Sequence, residues 1–140
     1  FFMRTPADAR KAYRELRILA HLQPSARVPR VIECTQQQGT VSLVMELIDC
    51  NLAEALRGGA IRQYYVVRLI LLQVLQGLRY MTQCGIMHRD LKPANLLIRE
   101  DCLVKICDFG MARASKFPDA CGGLEALTTN VMTWPYRSPE

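Results

Sequence analysis

Four rhythms of apolar and polar residues divide the chain. Residues 5–22 carry Tyr13, Leu16, Leu19 and Ala20 at helical spacing behind a Thr5-Pro6 start signal, which predicts an amphipathic helix. Residues 28–34 and 41–47 are two short apolar runs around the polar stretch Thr35-Gln36-Gln37-Gln38-Gly39-Thr40, the pattern of two strands and a turn. Residues 61–84 are apolar almost all round. Arg68 and Gln73 interrupt that run well short of the ~18–20 residues a membrane span needs, so the expectation is a buried helix. Leu96-Leu97-Ile98 and Leu103-Val104-Lys105-Ile106 flank the polar pair Glu100-Asp101, predicting a small hairpin. From Ala114 to Thr133 the chain is small, polar and glycine-bearing. A loop longer than ~12–15 residues in a compact domain is usually functional or mobile.

Composition changes this picture little. The chain has 140 residues, about one ordinary domain by length, with no repeat or low-complexity tract. Its net charge is +5, but lysine and arginine are dispersed and no basic stripe alternates with aromatics, so neither nucleic acid nor membrane is expected as a partner. Six cysteines lie at scattered positions without a Cys-x-x-Cys pair and with only two histidines, which speaks against a zinc site and for reduced thiols. Cys107 is read as apolar packing beside a functional aspartate, with reactivity toward electrophiles as the sharper alternative.

Candidate chemistry is concentrated in three ordered motifs. They are His88-Arg89-Asp90-Leu91-Lys92-Pro93-Ala94-Asn95, Asp108-Phe109-Gly110 and Ser138-Pro139-Glu140. In that order, and around the predicted hairpin, the set resembles the protein kinases. The resemblance implies an α+β, two-lobe kinase-like fold and transfer of a phosphoryl group from ATP with Mg2+, a task in which the protein mainly positions and neutralises. Asp90 then takes the proton of the incoming hydroxyl, Lys92 reaches the transferring phosphate, and Arg89 pairs with a phosphate on the activation segment. Asn95 and Asp108 supply oxygen ligands suited to a hard cation, held at the two ends of the hairpin. Phe109 and Gly110 belong to the switchable part of the same motif, and Leu97 falls on the nucleotide side of the hairpin.

Further roles follow from register with the family. Glu15, in Ala12-Tyr13-Arg14-Glu15-Leu16, matches the helix glutamate that pairs with a strand lysine; taken locally it is a solvated charge between Arg14 and Arg17. Met45-Glu46-Leu47-Ile48-Asp49 matches the hinge, with Met45 as gatekeeper and the backbones of Glu46 and Ile48 facing adenine. Asn51 falls at a ribose contact, or equally serves as a helix cap.

Val44-Met45-Glu46-Leu47-Ile48-Asp49 and Asp101-Cys102-Leu103-Val104-Lys105-Ile106 are similar to the mitogen-activated protein kinases, most of all the c-Jun N-terminal kinase group. That family carries a Thr-x-Tyr pair where this chain has Thr128-Thr129-Asn130, and Trp134-Pro135 departs from its next motif. A single-site control through Thr128 or Thr129 is expected, against plain loop residues.

The resemblance implies a Ser/Thr kinase with protein substrates, proline-directed, switched by an upstream kinase and located in cytoplasm or nucleus. Residues 1–48 are expected to be the end of a small lobe with its hinge, and residues 49–140 the start of a large lobe. No glycine-rich loop or Val-Ala-Ile-Lys strand occurs in the chain, so the segment by itself is expected to be inactive and prone to aggregate. The alternatives are a cyclin-dependent-type kinase and a non-catalytic kinase-fold binding protein.

Overall fold

A computed structural model describes residues 6–37, 40–114 and 133–136. Helix α1 (Pro6–His21) is followed by an antiparallel pair, β1 (Val31–Gln37) and β2 (Thr40–Met45). A short strand β3 (Cys50–Asn51) leads into α2 (Leu52–Arg57) and the long α3 (Tyr64–Gln83). Strand β4 (Ile86–Met87), a 3-10 turn (Pro93–Asn95), β5 (Leu96–Ile98), β6 (Val104–Ile106) and β7 (Arg113–Ala114) follow, with a last 3-10 turn at Trp134–Tyr136. The mixed helix and strand content agrees with the α+β class.

α1 starts and stops where expected, but its buried stripe lies one residue off the predicted one. Ala12, Ile18, Leu19 and Leu22 are buried, whereas Tyr13 and Ala20 are exposed. Tyr13 instead lies under the Arg17 guanidinium, 5.7 Å from the ring centroid, a pairing one turn apart that an exposed ring can make. The rotation matters for the site, because it turns Glu15 toward the interior.

The strands of the first pair are shifted toward their turn relative to the sequence pattern, and β2 ends at Met45. β1 extends to Gln37 and β2 begins at Thr40, so most of the predicted polar turn is strand, and Val28 is buried ahead of β1. The ladder is irregular between Val31 and Glu33.

α3 is buried on one side only. Ile70, Gln73, Val74, Gly77 and Met81 form its buried face, but Tyr64, Tyr65, Leu71, Leu72 and Leu75 are each more than half exposed. A helix buries only the stripe its neighbours reach, here the one facing β4 and β6. No helix among the described residues is long and apolar enough to cross a membrane. Gly85, at φ +73°, follows the last turn as its C-terminal stop.

One core cluster joins α1, α2, α3 and the hairpin, and Leu22, Val28, Val104, Ile106, Phe109 and Ala112 are almost wholly buried in it. Within it, buried Gln73 fastens α3 to the hairpin. Its Nε2 donates to Cys102 O at 2.8 Å, and its Oε1 accepts from Val104 N at 3.1 Å and from Arg27 Nη1 at 2.5 Å. The predicted hairpin forms, with Leu96 opposite Ile106, Leu97 opposite Lys105 and Ile98 opposite Val104. β3 pairs on the outer side of β5, and β7 pairs with β4 in a third sheet that the sequence pattern did not announce.

Candidate active site

The loop between β4 and β5 is short and carries a strained joint. Arg89 has φ +68° and Asp108 φ +62°, and left-handed backbone at non-glycine residues is held only where surroundings over-determine it. Those surroundings are visible. Buried His88 sits between the two joints, its Nε2 at 2.9 Å from Cys107 O, its Nδ1 at 3.3 Å from Asp90 N, and its ring 5.3 Å from that of Phe109. The Asp90 N–H can only donate, so Nδ1 accepts and the proton is on Nε2. Burial holds the His88 pKa below its usual value, against the pull of Cys107 O, Asp108 and Asp90, which keeps the ring neutral.

Asp90 is the centre of the polar network. Its Oδ1 accepts from the Thr133 hydroxyl at 2.7 Å and the Thr133 backbone N–H at 3.1 Å. Its Oδ2 accepts from Lys92 Nζ at 2.7 Å and Asn95 Nδ2 at 3.2 Å. Burial alone would raise this carboxyl; the bonds from Lys92 and Thr133 outweigh it and bring the pKa down to about 2. Lys92 also donates to Thr133 Oγ1 at 2.9 Å, so one hydroxyl accepts from the ammonium and donates to the carboxylate.

Asn95 is buried and doubly oriented. Nδ2 donates to Asp90 O at 2.9 Å as well as to its carboxylate, and the Asn95 carbonyl accepts from Cys107 N at 2.9 Å. That last bond brings the end of β6, and with it Asp108, beside Asn95. One amide oxygen and one exposed carboxylate make an incomplete all-oxygen donor set, which fits Mg2+ shared with phosphate oxygens and does not fit a closed protein cage.

Glu15 meets this centre from α1. Its carboxylate accepts from the Phe109 N–H, and its pKa is raised by burial first and by Asp108 second, with Lys11 opposing. A Cβ on Gly110 would lie 3.2 Å from Asp108 Oδ1 and 3.7 Å from Glu15 Oε2, so bare glycine leaves room for both carboxylates. Arg89 is half-buried, and its pKa is lowered by burial first, then by the positive charges of Arg113 and Arg14.

At the hinge, Met45 ends β2 and is exposed, and Ile48 is half-buried. The Glu46 side chain is bound to Lys105 and to Arg30 N. Asn51 caps α2: its Oδ1 accepts from Glu54 N at 3.0 Å and Glu54 Oε2 accepts from Asn51 N at 3.2 Å, so the cap alternative describes its side-chain oxygen. Thr128 and Thr129, Ser138-Pro139-Glu140 and most of the predicted activation loop lie outside the described residues. Cys107 is half-buried, and burial followed by Asp108 and Glu15 pushes its thiol up to about 11.

Sequence reasoning thus assembled Asp90, Lys92, Asn95 and Asp108 and overlooked Thr133, Lys105 and His88. Thr133 stands immediately before the Trp134-Pro135 departure, at the end of the stretch whose composition predicts a loop. His88 had a signal, its place at the head of the motif.

A loop aspartate clamped by a lysine and a threonine, with an asparagine and a second aspartate alongside, is the arrangement that phosphoryl transfer calls for. Residues 3–140 match the protein kinase domain family, and the chain belongs to it. Its relatives include mitogen-activated protein kinase 13 of Arabidopsis thaliana, 34% identical over 137 residues covering 95% of this chain and 36% of that protein. The mitogen-activated protein kinases hog1 of Blastobotrys adeninivorans and of Trichoderma harzianum are 35% and 34% identical over 97% of this chain, which covers 32% and 36% of them. The chain therefore spans about a third of the length of these relatives. Their names favour the mitogen-activated branch over the cyclin-dependent alternative.

Proposed function

We propose that the protein carrying this chain is a Ser/Thr protein kinase of the mitogen-activated type, transferring the terminal phosphoryl group of ATP to hydroxyls of protein substrates. The observation that carries the reading is Asp90: a buried carboxylate kept ionised by Lys92 and Thr133, at the mouth of the loop that also orients Asn95. An ionised Asp90 can orient an incoming Ser or Thr hydroxyl and receive its proton late, when the oxygen has become acidic. Lys92, now bound to Asp90 and Thr133, is placed to neutralise the transferring group. Asn95 and Asp108 would hold Mg2+, which when bound offsets phosphate charge. The backbones of Glu46 and Ile48, with Met45 and Leu97, would border the adenine, and Asn51 the ribose. Residues 1–48 then form the end of the small lobe and 49–140 the start of the large one.

Regulation follows from charge. Arg113 and Arg14 act on Arg89 as like charges, and a phosphate on Thr128 or Thr129 near Arg89 would offset that repulsion and order the segment. An upstream kinase is the implied partner, Ser/Thr-Pro sequences the implied targets, and cytoplasm or nucleus the implied location. Glu15 and Asp108 face one another with raised Glu15 pKa, which supports a cation between them in the assembled enzyme, as the family's strand lysine provides.

The test is transfer from Mg-ATP by the full-length protein to paired Ser-Pro and Ser-Ala peptides. Asp90→Asn keeps shape and loses the base, and is expected to slow transfer by about 10²–10⁴-fold with nucleotide affinity retained. Transfer by Asp90→Asn at the wild-type rate would overturn the assignment, and equal use of both peptides would remove the proline-directed part.

A further inference from the structure

Lys105 is the one buried lysine among the described residues, and nothing in the proposed chemistry uses it. It stands in the middle of β6, only 8% exposed, where an apolar residue would pack without a desolvation cost. Its ammonium forms a close ion pair with Glu46 Oε1, both side chains being largely covered. The same Glu46 oxygen accepts from Arg30 N at 2.7 Å, and Glu46 N donates to Arg30 O at 3.0 Å. Glu46 is thereby held on one side to the segment leading into β1 and on the other to the catalytic hairpin, 59 residues away in sequence.

The position of this pair is specific. Lys105 lies directly opposite Leu97, and opposed residues of an antiparallel pair project from the same face. The face that carries Leu97 also carries the tie to the hinge. β5 begins right after Asn95, and β6 ends two residues before Asp108, so the strands that the tie grips are those that end in both metal ligands. Replacing the pair with apolar side chains is often neutral or stabilising, so stability alone does not explain why a lysine is buried here.

We propose that Glu46 and Lys105 are a positioning pair for the nucleotide, pinning the hinge backbone at a set distance from the hairpin so that adenine and phosphates are held in one register. The inference rests on the nucleotide site proposed above. Removing the tie leaves the reacting groups of Asp90 and Lys92 untouched and loosens the adenine edge, so the loss should fall on binding and spare turnover.

The test uses the full-length protein and a fluorescent ATP analogue displaced by Mg-ADP, together with KM for ATP and kcat on a Ser-Pro peptide. Lys105→Met and Glu46→Gln are each expected to raise Kd and KM by about five- to tenfold with kcat nearly unchanged. Lys105→Arg preserves the pair and should keep wild-type affinity. The double variant Glu46→Gln/Lys105→Met leaves no orphaned charge, so it is expected to melt like the wild type and bind no more weakly than either single change. A folded double variant with wild-type Kd overturns the proposal, as does a fall in kcat at constant Kd. A double variant that fails to fold assigns the pair to stability and overturns it too. Wild-type protein that binds no nucleotide at all would sink the kinase reading itself, an outcome distinct from a wild type that binds and a double variant that binds equally well.

Discussion

Asp90 and Thr133 are 43 residues apart in sequence, yet the threonine gives the aspartate two hydrogen bonds to a single oxygen, at 2.7 Å from its hydroxyl and 3.1 Å from its backbone. The contact ties the catalytic loop to the far end of the segment after Gly110. It means that the charge state of Asp90 and the placement of Lys92 both depend on where that segment ends.

Thr133→Ala should therefore impair transfer without touching the nucleotide. Hydrogen bonds to charged groups contribute about 1.5–3 kcal/mol, so a kcat loss of about tenfold to a hundredfold is expected, with KM for ATP unchanged. Thr133→Ser retains the hydroxyl and should recover most of the rate. Steady-state kinetics on the three proteins decides it, and equal losses in the alanine and serine variants would show that the methyl matters instead.

His88 makes stability depend on pH with a defined sign. Its folded pKa is lowered from 6.5, so the unfolded chain binds more protons below that value. Stability is then complete above pH 6.5 and falls as pH drops through it. His88→Phe loses the bonds to Cys107 O and Asp90 N, about 1–3 kcal/mol at pH 7, but should show a flatter profile from pH 7 to 5. Urea unfolding of both proteins across that range measures the difference, and parallel profiles would refute it.

Cys107 should be a slow nucleophile despite its place before Asp108. A thiol at about 11 is overwhelmingly protonated near neutrality, and the thiolate is the reactive form. Iodoacetamide at pH 7.5 should modify exposed Cys34 well before Cys107, as read by mass spectrometry. Preferential labelling of Cys107 would mean that the thiol is not held in the buried setting that raises it.

The outward face of α3 is expected to drive association of the 140-residue chain made alone. Leu71, Leu72 and Leu75 are each more than half exposed, a contiguous apolar patch of the kind that aggregates. Leu72→Glu with Leu75→Lys should reduce dye binding and light scattering while leaving helical circular dichroism intact. Loss of helix in that variant would show that the face is packed after all.

Much of the site was legible because its parts are local. The spacing of Asp90, Lys92 and Asn95 within six residues, and of Asp108 after an apolar run, specifies loop, strand and turn through nearest-neighbour preferences. The hairpin and the extent of α1 followed from such preferences, and the kinase class from the resemblance of the ordered motifs to that family. Asn51 was the ambiguous case, since asparagine caps helices by the same donor and acceptor groups that bind ligands, and the capping box with Glu54 is what formed.

What the chain by itself determined, then, is which residues are chemically able to act and which local elements carry them. The tertiary structure alone decided which of them meet. The inward turn of Glu15, one residue off the predicted stripe, the return of Thr133 to Asp90, and the burial of Lys105 against Glu46 each join elements remote in sequence. Periodicity reports that a face is apolar without reporting what covers it, which is why α3 was expected to be buried throughout and is buried on one side. Such pairings depend on packing across the core, and local side-chain preference holds no information about a partner dozens of residues away.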